Sequence, residues 1–323
     1  MRHIAIAAVL ACAACATPPG SAAPRVCTAW SAPEPAGAID PAIMEASGLA
    51  VSKAFPSRLY HHNDSGRGPK FFVSDSAGAN LRTVTMAGYK DKDIEDMSMG
   101  PCGEGKNGDG RTCVVFGDVG DNGSSRPSVS FILMPEKETY ADTETPLRVV
   151  NAHYPDGPHN AEGFAIHPNG DLYLVTKTSP GPAQIFRLTR DQLRVSDGAM
   201  QTFTEVGKID IAPLVGDLAS QRSALLVTSF DIAPDGKRAV ILTYGAAVEI
   251  GFDLSKPLAP QSGWKSGEDF RRIDIATQPQ TEAIAYAPNG AILYDSERKG
   301  DAPVQLYRQT CQKPQFRLIC SIS

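Results

Sequence analysis

Short apolar stretches separated by turn residues run along the whole chain and set the first expectation for its fold. Typical stretches read RLYHHND, TCVVFGD, DLYLVTK and AVILTY. Alternating or wholly apolar runs of this length, bounded by Gly, Pro, Asn and Asp, predict β-strands. We find no useful stretch with apolar residues at the 3.6-residue period of an amphipathic helix. The pattern therefore predicts an all-β protein.

One phrase recurs along the chain: an acidic or hydroxyl residue, then a short apolar strand. In three copies a Pro-Asn-Gly or Pro-Asp-Gly turn follows, as in EGFAIHPNG, TSFDIAPDG and EAIAYAPNG. The equivalent first positions are Ser47, Glu95, Glu162, Thr228 and Glu282. They are spaced by roughly 50 to 70 residues, and each unit holds about four strands. Four-stranded units repeated in this way predict a β-propeller.

The length of the chain sets the number of blades. The residues after Glu282, taken with those between Cys27 and Ser47, make about one further unit. We therefore expect five blades, with six as the alternative. The last blade would be closed by strands from both termini, which protects the final sheet edge from pairing with another chain.

Composition narrows the class of protein. The chain has 323 residues, of which 42% are hydrophobic and 21% charged, and its net charge is −5. These values are typical of a globular protein with a large core. No run or stripe of basic residues is present, so the sequence predicts no nucleic-acid surface.

The first residues, MRHIAIAAVLACAACATPPGSAAP, indicate export. A basic start, a short apolar run and small residues form a signal segment, which we assign to residues 1–15. The end of this run resembles the lipobox of bacterial lipoproteins, with Cys15 as the favoured lipidated residue and Cys12 as the alternative. Residues 16–26 form a flexible linker and residues 27–323 a single propeller domain. We expect a periplasmic, membrane-anchored lipoprotein; the alternative is a secreted soluble protein.

Export leads to an oxidising compartment, where cysteines form disulfides. Cys102 and Cys113 bracket a hydrophilic, glycine-rich loop and are predicted to pair. Cys27, Cys311 and Cys320 lie near the two ends of the mature chain. One pair among these three is expected, and the sequence leaves its identity open.

Propeller geometry gathers polar residues from distant parts of the chain at one mouth of the central channel. The first strand of each blade lines the channel, and the antiparallel second strand returns to the same mouth. Candidate metal ligands at strand starts and strand ends are Glu45, Glu95, Asp96, Asp118, Asp121, Glu162 and Glu282. Candidate ligand-binding residues are Asn63, Asp64, Asn122, His159, Lys177 and Glu297.

A ring of carboxylates predicts a cation. Like charges packed together repel, and their pKa values rise unless a cation neutralises them. Hard oxygen ligands in an irregular ring suit Ca²⁺, whereas Mg²⁺ is less often fully enclosed by protein ligands. Any single one of these acids could instead cap a turn, but the recurrence of Glu at one strand position in three units favours a site.

Other chemical signals are weak. The string GEGKNG has the GxGxxG spelling but lies between two cysteines without a strand–helix context, so it does not predict dinucleotide binding. The sequence has no GxSxG, HExxH or P-loop motif. His61 and His62 are adjacent, so they should face opposite sides of a strand, and the pair does not predict a zinc site.

The phrases EASGLAVS, DIEDMSMG, VVFGDVGDN, LYLVTK and TEAIAYAPNG together resemble a family of exported bacterial β-propeller proteins, over nearly all of the mature chain. At greater distance the chain is similar to the β-propeller phytases and the calcium-dependent apyrases. That resemblance implies carboxylates and Ca²⁺ around the channel mouth. The phrases lack a phosphate-binding cluster of Lys and Arg, which argues against phosphoester hydrolysis. The nearby candidates are Arg67, Lys70, Arg126, Lys177, Arg298 and Lys299.

Two classes of function fit these features. The first is a metal-organised binding or scaffold protein of the cell envelope, which grips a small molecule or an envelope protein at the channel mouth. The second is a Ca²⁺-dependent hydrolase of phosphoesters or other esters, in which a cation polarises the substrate and a carboxylate activates water. A hydrolase should carry cations or hydrogen-bond donors that face the carboxylates, whereas a scaffold can leave the mouth lined by acids alone.

Overall fold

The strands are grouped into blades in sequence order. The computed structural model describes residues 25–55, 57–64, 66–102, 111–252, 261–300 and 302–312. The strands of the first half are β1 (Ala29–Trp30), β2 (Glu34–Ala38), β3 (Ala46–Val51), β4 (Arg58–Asn63), β5 (Lys70–Asp75), β6 (Arg82–Met86), β7 (Ile94–Pro101), β8 (Thr112–Asp118), β9 (Val129–Pro135), β10 (Thr143–Glu144) and β11 (Arg148–His153). The strands of the second half are β12 (Ala161–Ile166), β13 (Leu172–Thr176), β14 (Ala183–Leu188), β15 (Met200–Thr202), β16 (Thr204–Ile209), β17 (Val227–Ile232), β18 (Arg238–Thr243), β19 (Ala247–Gly251), β20 (Phe270–Ile273), β21 (Thr281–Tyr286), β22 (Ile292–Ser296), β23 (Gln305–Gln309) and β24 (Cys311–Gln312).

In the described residues these strands form the five blades that the sequence predicts. From the channel outwards, blade 1 is β3-β4-β5-β6, blade 2 is β7-β8-β9-β11, blade 3 is β12-β13-β14-β16 and blade 4 is β17-β18-β19-β20. Blade 5 is β21-β22-β23-β2. Its outermost strand comes from the N-terminal end of the chain, so both termini close the propeller as expected.

Two short strands that the sequence analysis did not predict cover the edges of blades 1 and 2. β10 pairs in parallel with β6, and β15 pairs in parallel with β11. β10 lies in sequence among the strands of blade 2 and β15 among those of blade 3. Each therefore pairs with the outer strand of the preceding blade. Pairing of this kind satisfies edge N–H and C=O groups that would otherwise be open to another chain.

The helices of the described residues are few and short. One α-turn, α1 (Ala212–Val215), is followed by two 3₁₀ turns, Gly216–Ser220 and Arg222–Leu225, and a further 3₁₀ turn, Gln192–Arg194, precedes it. In the part of the chain that the structure describes, none of these segments has the length and apolar character that crossing a bilayer requires.

The hydrophobic core is divided among the gaps between blades. Five clusters of buried side chains fill the five gaps of the described propeller. The cluster between blades 5 and 1, for example, joins Leu49 and Leu59 to Ala285 and Leu306. This gap is the seam at which the propeller closes, and buried apolar side chains fill it as they fill the other four gaps.

Side chains in the channel tie neighbouring blades together at the axis. Asp96 on β7 accepts hydrogen bonds from the N–H groups of Phe164 and Phe230, both at 3.2 Å, and therefore bridges blades 2, 3 and 4. Asp231 on β17 accepts the N–H of Tyr286 on β21 at 2.7 Å. These bonds satisfy backbone donors that would otherwise face the channel unpaired.

Two disulfides are present in the described residues. Cys102 is joined to Cys113 across 11 residues, which confirms the predicted pair. Cys27 is joined to Cys311 across 284 residues and so fastens the two ends of the described chain beside blade 5. Cys320, the third cysteine that the sequence analysis considered, lies outside the described residues, as do Cys12 and Cys15.

Candidate functional site

A β-bulge occurs at the same position of every innermost strand. The register of the first two strands of each blade shifts around one residue, and these residues are Ser47, Glu95, Glu162, Thr228 and Glu282. They are the five positions that the repeated phrase makes equivalent. A bulge sets two residues opposite one and re-aims the side chain of the extra residue. The recurrence in the sequence therefore encodes a backbone irregularity repeated around the channel.

The five bulge residues differ in what their side chains do. Ser47 donates its hydroxyl hydrogen to the carbonyl oxygen of Glu95 at 2.8 Å, and Thr228 donates to that of Thr281 at 3.1 Å. These two hydroxyls therefore join neighbouring blades. The other three bulge residues are glutamates, each about 5% exposed or less. They bring three carboxylates from blades 2, 3 and 5 to one mouth of the channel.

Three carboxylates form a tight cluster at this mouth, which we call the acidic triad: Asp64, Asp93 and Glu95. One oxygen from each lies within 4.8 Å of the others. That span is about twice a Ca²⁺–oxygen distance of about 2.4 Å, so one ion could contact all three groups. Asp64 follows β4 directly and Glu95 is the bulge of β7, so the triad joins blades 1 and 2.

Gly120 lets the backbone pack directly against two carboxylates of the acidic triad. A Cβ atom at this position would lie 2.2 Å from Oε1 of Glu95 and 2.3 Å from Oδ2 of Asp93. Any residue with a side chain would therefore displace both carboxylates. The backbone approaches these oxygens closely only because position 120 is glycine.

The other side of the mouth carries a cation and a phenol. Nζ of Lys177 forms a short ion pair with Oε2 of Glu162 and donates to the hydroxyl of Tyr244 at 2.7 Å. It also lies 4.8 Å from the centre of the Tyr244 ring. Glu282 accepts a hydrogen bond from the side-chain amide of Gln280. The mouth is therefore not lined by acids alone.

Burial and mutual repulsion raise the pKa values of the three bulge glutamates. Burial, with repulsion from Glu162 and then Asp64, holds the pKa of Glu95 well above its usual value. Burial raises the pKa of Glu162 to about 7 although Lys177 opposes the shift. For Glu282, burial followed by repulsion from Glu162 raises the pKa to about 8. Without a bound cation, Glu282 is therefore mostly protonated at neutral pH and Glu162 is about half protonated.

Lys177 and Tyr244 respond to the same environment. Burial lowers the pKa of Lys177, but the charge of Glu162 and the hydrogen bond to it more than compensate, so the pKa lies above its ordinary value. Burial and then the negative charges of Glu282 and Glu162 raise the pKa of Tyr244. Lys177 is therefore a permanent cation and Tyr244 a neutral hydrogen-bond donor at neutral pH.

Several predicted metal ligands are engaged in other bonds. Asp118 accepts hydrogen bonds from the hydroxyl of Tyr89 and the N–H groups of Lys92 and Asp93, and it pairs with Arg126 at 2.8 Å. It therefore positions the loop that carries Asp93 of the acidic triad.

Asp121 and Asp96 have backbone roles as well. Asp121 accepts the N–H of Arg126 at 2.7 Å and organises the turn after β8. Burial raises the pKa of Asp96 well above its usual value, against the hydrogen bonds that it accepts in the channel. Neither residue is among the carboxylates of the acidic triad.

The remaining predicted residues lie around the mouth without joining the triad. Glu45 forms an exposed ion pair with Arg67 at 2.9 Å, and Glu297 pairs with Lys299 at 3.2 Å. The side-chain oxygen of Asn63 accepts the N–H of Glu45 at 3.1 Å. These contacts hold the strand ends that frame the mouth.

His159 and Asn122 serve the neighbouring loops. Nε2 of His159 lies 2.8 Å from Asp156, and its ring packs 5.0 Å from that of Tyr154. Asn122 accepts a hydrogen bond from the side chain of Asn160 at 3.1 Å. The structure thus gives His159 a packing role rather than a contact with the triad.

Sequence analysis missed two members of the site. Asp93 precedes Glu95 by two residues in DIED, a spacing that returns to the same side of an extended strand. The acidic residue two positions before Glu95 was therefore a signal in the sequence for a second carboxylate at this site. Gly120 carried none, because only the folded chain brings it against carboxylates from another strand.

Comparisons with known proteins find structural likenesses at low sequence identity. No protein-family model matches the chain, and no curated protein matches it. A glucose dehydrogenase structure is 8% identical, with 86% of this chain and 99% of that chain covered at a TM-score of 0.44. Regucalcin from Agrobacterium tumefaciens, described as a calcium-binding protein, is 10% identical with 82% and 90% covered at 0.40. A gluconolactonase from Xanthomonas campestris is 12% identical with 82% and 71% covered, also at 0.40.

Proposed function

We propose that this protein is a calcium-dependent binding protein of the cell envelope that holds a small ligand at its channel mouth. The observation that carries the proposal is the acidic triad, whose three carboxylates converge within 4.8 Å beside the backbone of Gly120. Carboxylates at this spacing suit the oxygen coordination of Ca²⁺. The nearby Glu162 and Glu282 add negative charge that favours a divalent ion.

The bound ion would neutralise the carboxylates and could offer open coordination positions to an anionic or hydroxyl-rich ligand. Lys177 stands on the opposite side of the mouth, where its ammonium group can contact a negative or polar part of the same ligand. Tyr244 supplies a neutral hydrogen-bond donor beside it. The site would thus orient a small polar molecule between the ion and Lys177.

Gly120→Ala provides the sharpest test of the ion site. The added methyl group meets only the ends of two flexible side chains, so the fold should tolerate it while the triad is forced apart. Equilibrium dialysis of chelator-treated protein measures Ca²⁺ binding. We expect this binding to be lost in Gly120→Ala and in Glu95→Gln. The exposed Glu138→Gln serves as the charge-matched control and should bind as the unmodified protein does. Equal binding by Gly120→Ala would contradict the proposed site.

A Ca²⁺-dependent hydrolase is the second candidate, and the pairing of Lys177 with Tyr244 at 2.7 Å beside the carboxylates favours it. The ion would polarise the ester in such a reaction. Glu282, with its pKa near 8, could take a proton from water, because a base with a pKa near the working pH transfers protons most effectively. A panel of carboxylic and phosphate esters separates the two functions: Ca²⁺-dependent turnover abolished by Glu282→Gln supports hydrolysis, and its absence leaves the binding function.

Export and anchoring are part of the same proposal. Two disulfides fit an oxidising compartment. Arg25, the first described residue, donates its N–H to Glu268 just before β20, at the ends of the blades remote from the acidic triad. An anchor at Cys15 would therefore be joined to the propeller at the end remote from the channel mouth. Replacing Cys15 and Cys12 together with Ser should release the protein into the soluble periplasmic fraction, and retention in the membrane fraction would contradict the anchor.

A further inference from the structure

A groove opens at the seam between blades 5 and 1, at the strand ends opposite the acidic triad. Its walls come from the β3–β4 and β5–β6 turns of blade 1, from the β21–β22 turn, and from β2 and β23 of blade 5. We call it the seam groove. Its volume is about 620 Å³, within the range of about 300–1,000 Å³ that small-molecule sites occupy.

The floor of the seam groove is apolar. Leu59 of blade 1 and Leu293 of blade 5 line it and belong to the buried cluster that closes the seam. Val51 and Ala36 extend this surface and are only partly buried. Leu59 and Leu293 are almost fully buried, so the apolar surface that a ligand could contact is that of Val51 and Ala36.

Basic side chains dominate the charged rim. Lys53 and Arg308 line the groove from blades 1 and 5 respectively, and both are exposed. Within the described ranges, neither forms an ion pair with a carboxylate. Arg58 adds a third charge, although its guanidinium donates to the carbonyl oxygens of Lys137 and Glu138. Among the described lining residues Glu34 is the one acid, so this rim is positive in a chain whose net charge is −5.

We propose that the seam groove is a second ligand site, which binds a small amphipathic anion such as an aryl or alkyl carboxylate or sulfonate. The anionic group lies between Lys53 and Arg308, and the non-polar body covers Val51 and Ala36. The chemistry differs from that of the channel mouth, where the charged lining is mostly acidic. The two sites lie at opposite ends of strands of about six residues, so they are roughly 20 Å apart along the strand direction.

Two matched fluorescent probes test this assignment on the whole folded protein. One is 8-anilinonaphthalene-1-sulfonate, which carries an anionic group on an aromatic body; the other is N-phenyl-1-naphthylamine, which has the same body without the charge. We expect the anionic probe to bind one site more tightly than the neutral probe. In the double variant Lys53→Gln with Arg308→Gln, its affinity should fall by about tenfold, since each exposed charge pair contributes a factor of about two to five. Neutral-probe affinity should change little.

Steric and control variants complete the experiment. Ala77→Trp places a large side chain in the groove and should weaken both probes, whereas Lys208→Gln, which removes an exposed charge from blade 3, should change neither. Thermal melting checks that each variant is folded. Binding of the anionic probe that is unaffected by the double charge variant, or by Ala77→Trp in a folded protein, would overturn the proposal. Loss of Ca²⁺ binding in Glu95→Gln should leave the probe affinities unchanged, which separates this site from the channel mouth.

Discussion

Replacing Glu282 with Gln should stabilise the cation-free protein at alkaline pH and leave it almost unchanged at acidic pH. Glu282 is 5% exposed, and burial raises its pKa to about 8 from an ordinary 4.5. Between these two values the folded protein keeps a proton that the unfolded chain releases. The stability contributed by this carboxyl is therefore fully present below pH 4.5 and is lost as the pH rises towards 8.

The size of the effect follows from the pKa shift. At 1.36 kcal/mol per pKa unit, ionisation of Glu282 costs the folded state at most about 4 kcal/mol by pH 8. Gln cannot ionise, so the variant avoids this cost while its amide oxygen can still accept the hydrogen bond from Gln280. Urea unfolding in EDTA at pH 5 and pH 8 measures the change in the free energy of unfolding.

The two pH values make the result decisive. We expect Glu282→Gln to match the unmodified protein at pH 5, to exceed its stability at pH 8, and to gain less stability from added Ca²⁺. The exposed Glu138→Gln should show none of these changes. Equal destabilisation of Glu282→Gln at both pH values would mean that the glutamate is a structural hydrogen-bonding residue, and the reasoning would fail.

Two further predictions concern the site and the closure of the propeller. Lys177→Met leaves Glu162 without its counter-charge and should destabilise the cation-free protein by about 3 kcal/mol at pH 8 but by less at pH 5, where Glu162 is protonated. Urea unfolding midpoints measure this loss. Adding Glu162→Gln to Lys177→Met should restore the stability, and a double variant as unstable as Lys177→Met would contradict the prediction. Cys27→Ser opens a far longer loop than Cys102→Ser. On the loop-entropy relation, Cys27→Ser should lower the free energy of unfolding by about 5 to 6 kcal/mol and Cys102→Ser by about 3 kcal/mol. Equal losses would refute the role of the long loop in closure.

The sequence was sufficient to predict the blades because the propeller repeats a local pattern. Each copy of the phrase that begins at Ser47, Glu95, Glu162, Thr228 or Glu282 contains its own strand, turn and bulge, so comparing the copies reveals the shared geometry. The added edge strands β10 and β15 have no counterpart among the described residues of the other units, and each is only two or three residues long. Their pairing depends on tertiary contact that no local pattern records.

The candidate site was predicted less completely, because its contacts join different blades. Glu95, Glu162 and Glu282 followed from the repeat. Asp96 accepts backbone hydrogen bonds from Phe164 of blade 3 and Phe230 of blade 4. These residues lie 68 and 134 positions from Asp96 in the sequence, so only the folded chain brings them together. For the same reason the partner of Cys27 could not be selected from the sequence.

The central claim is that the acidic triad binds a divalent cation, and calorimetric titration of chelator-treated protein with Ca²⁺ tests it most directly. We predict one ion bound per chain, a rise in melting temperature that follows the bound fraction, and loss of both signals in Gly120→Ala. If chelator-treated protein shows no binding heat and EDTA leaves its melting temperature unchanged, the acidic triad is not a cation site and the account of this channel mouth is wrong.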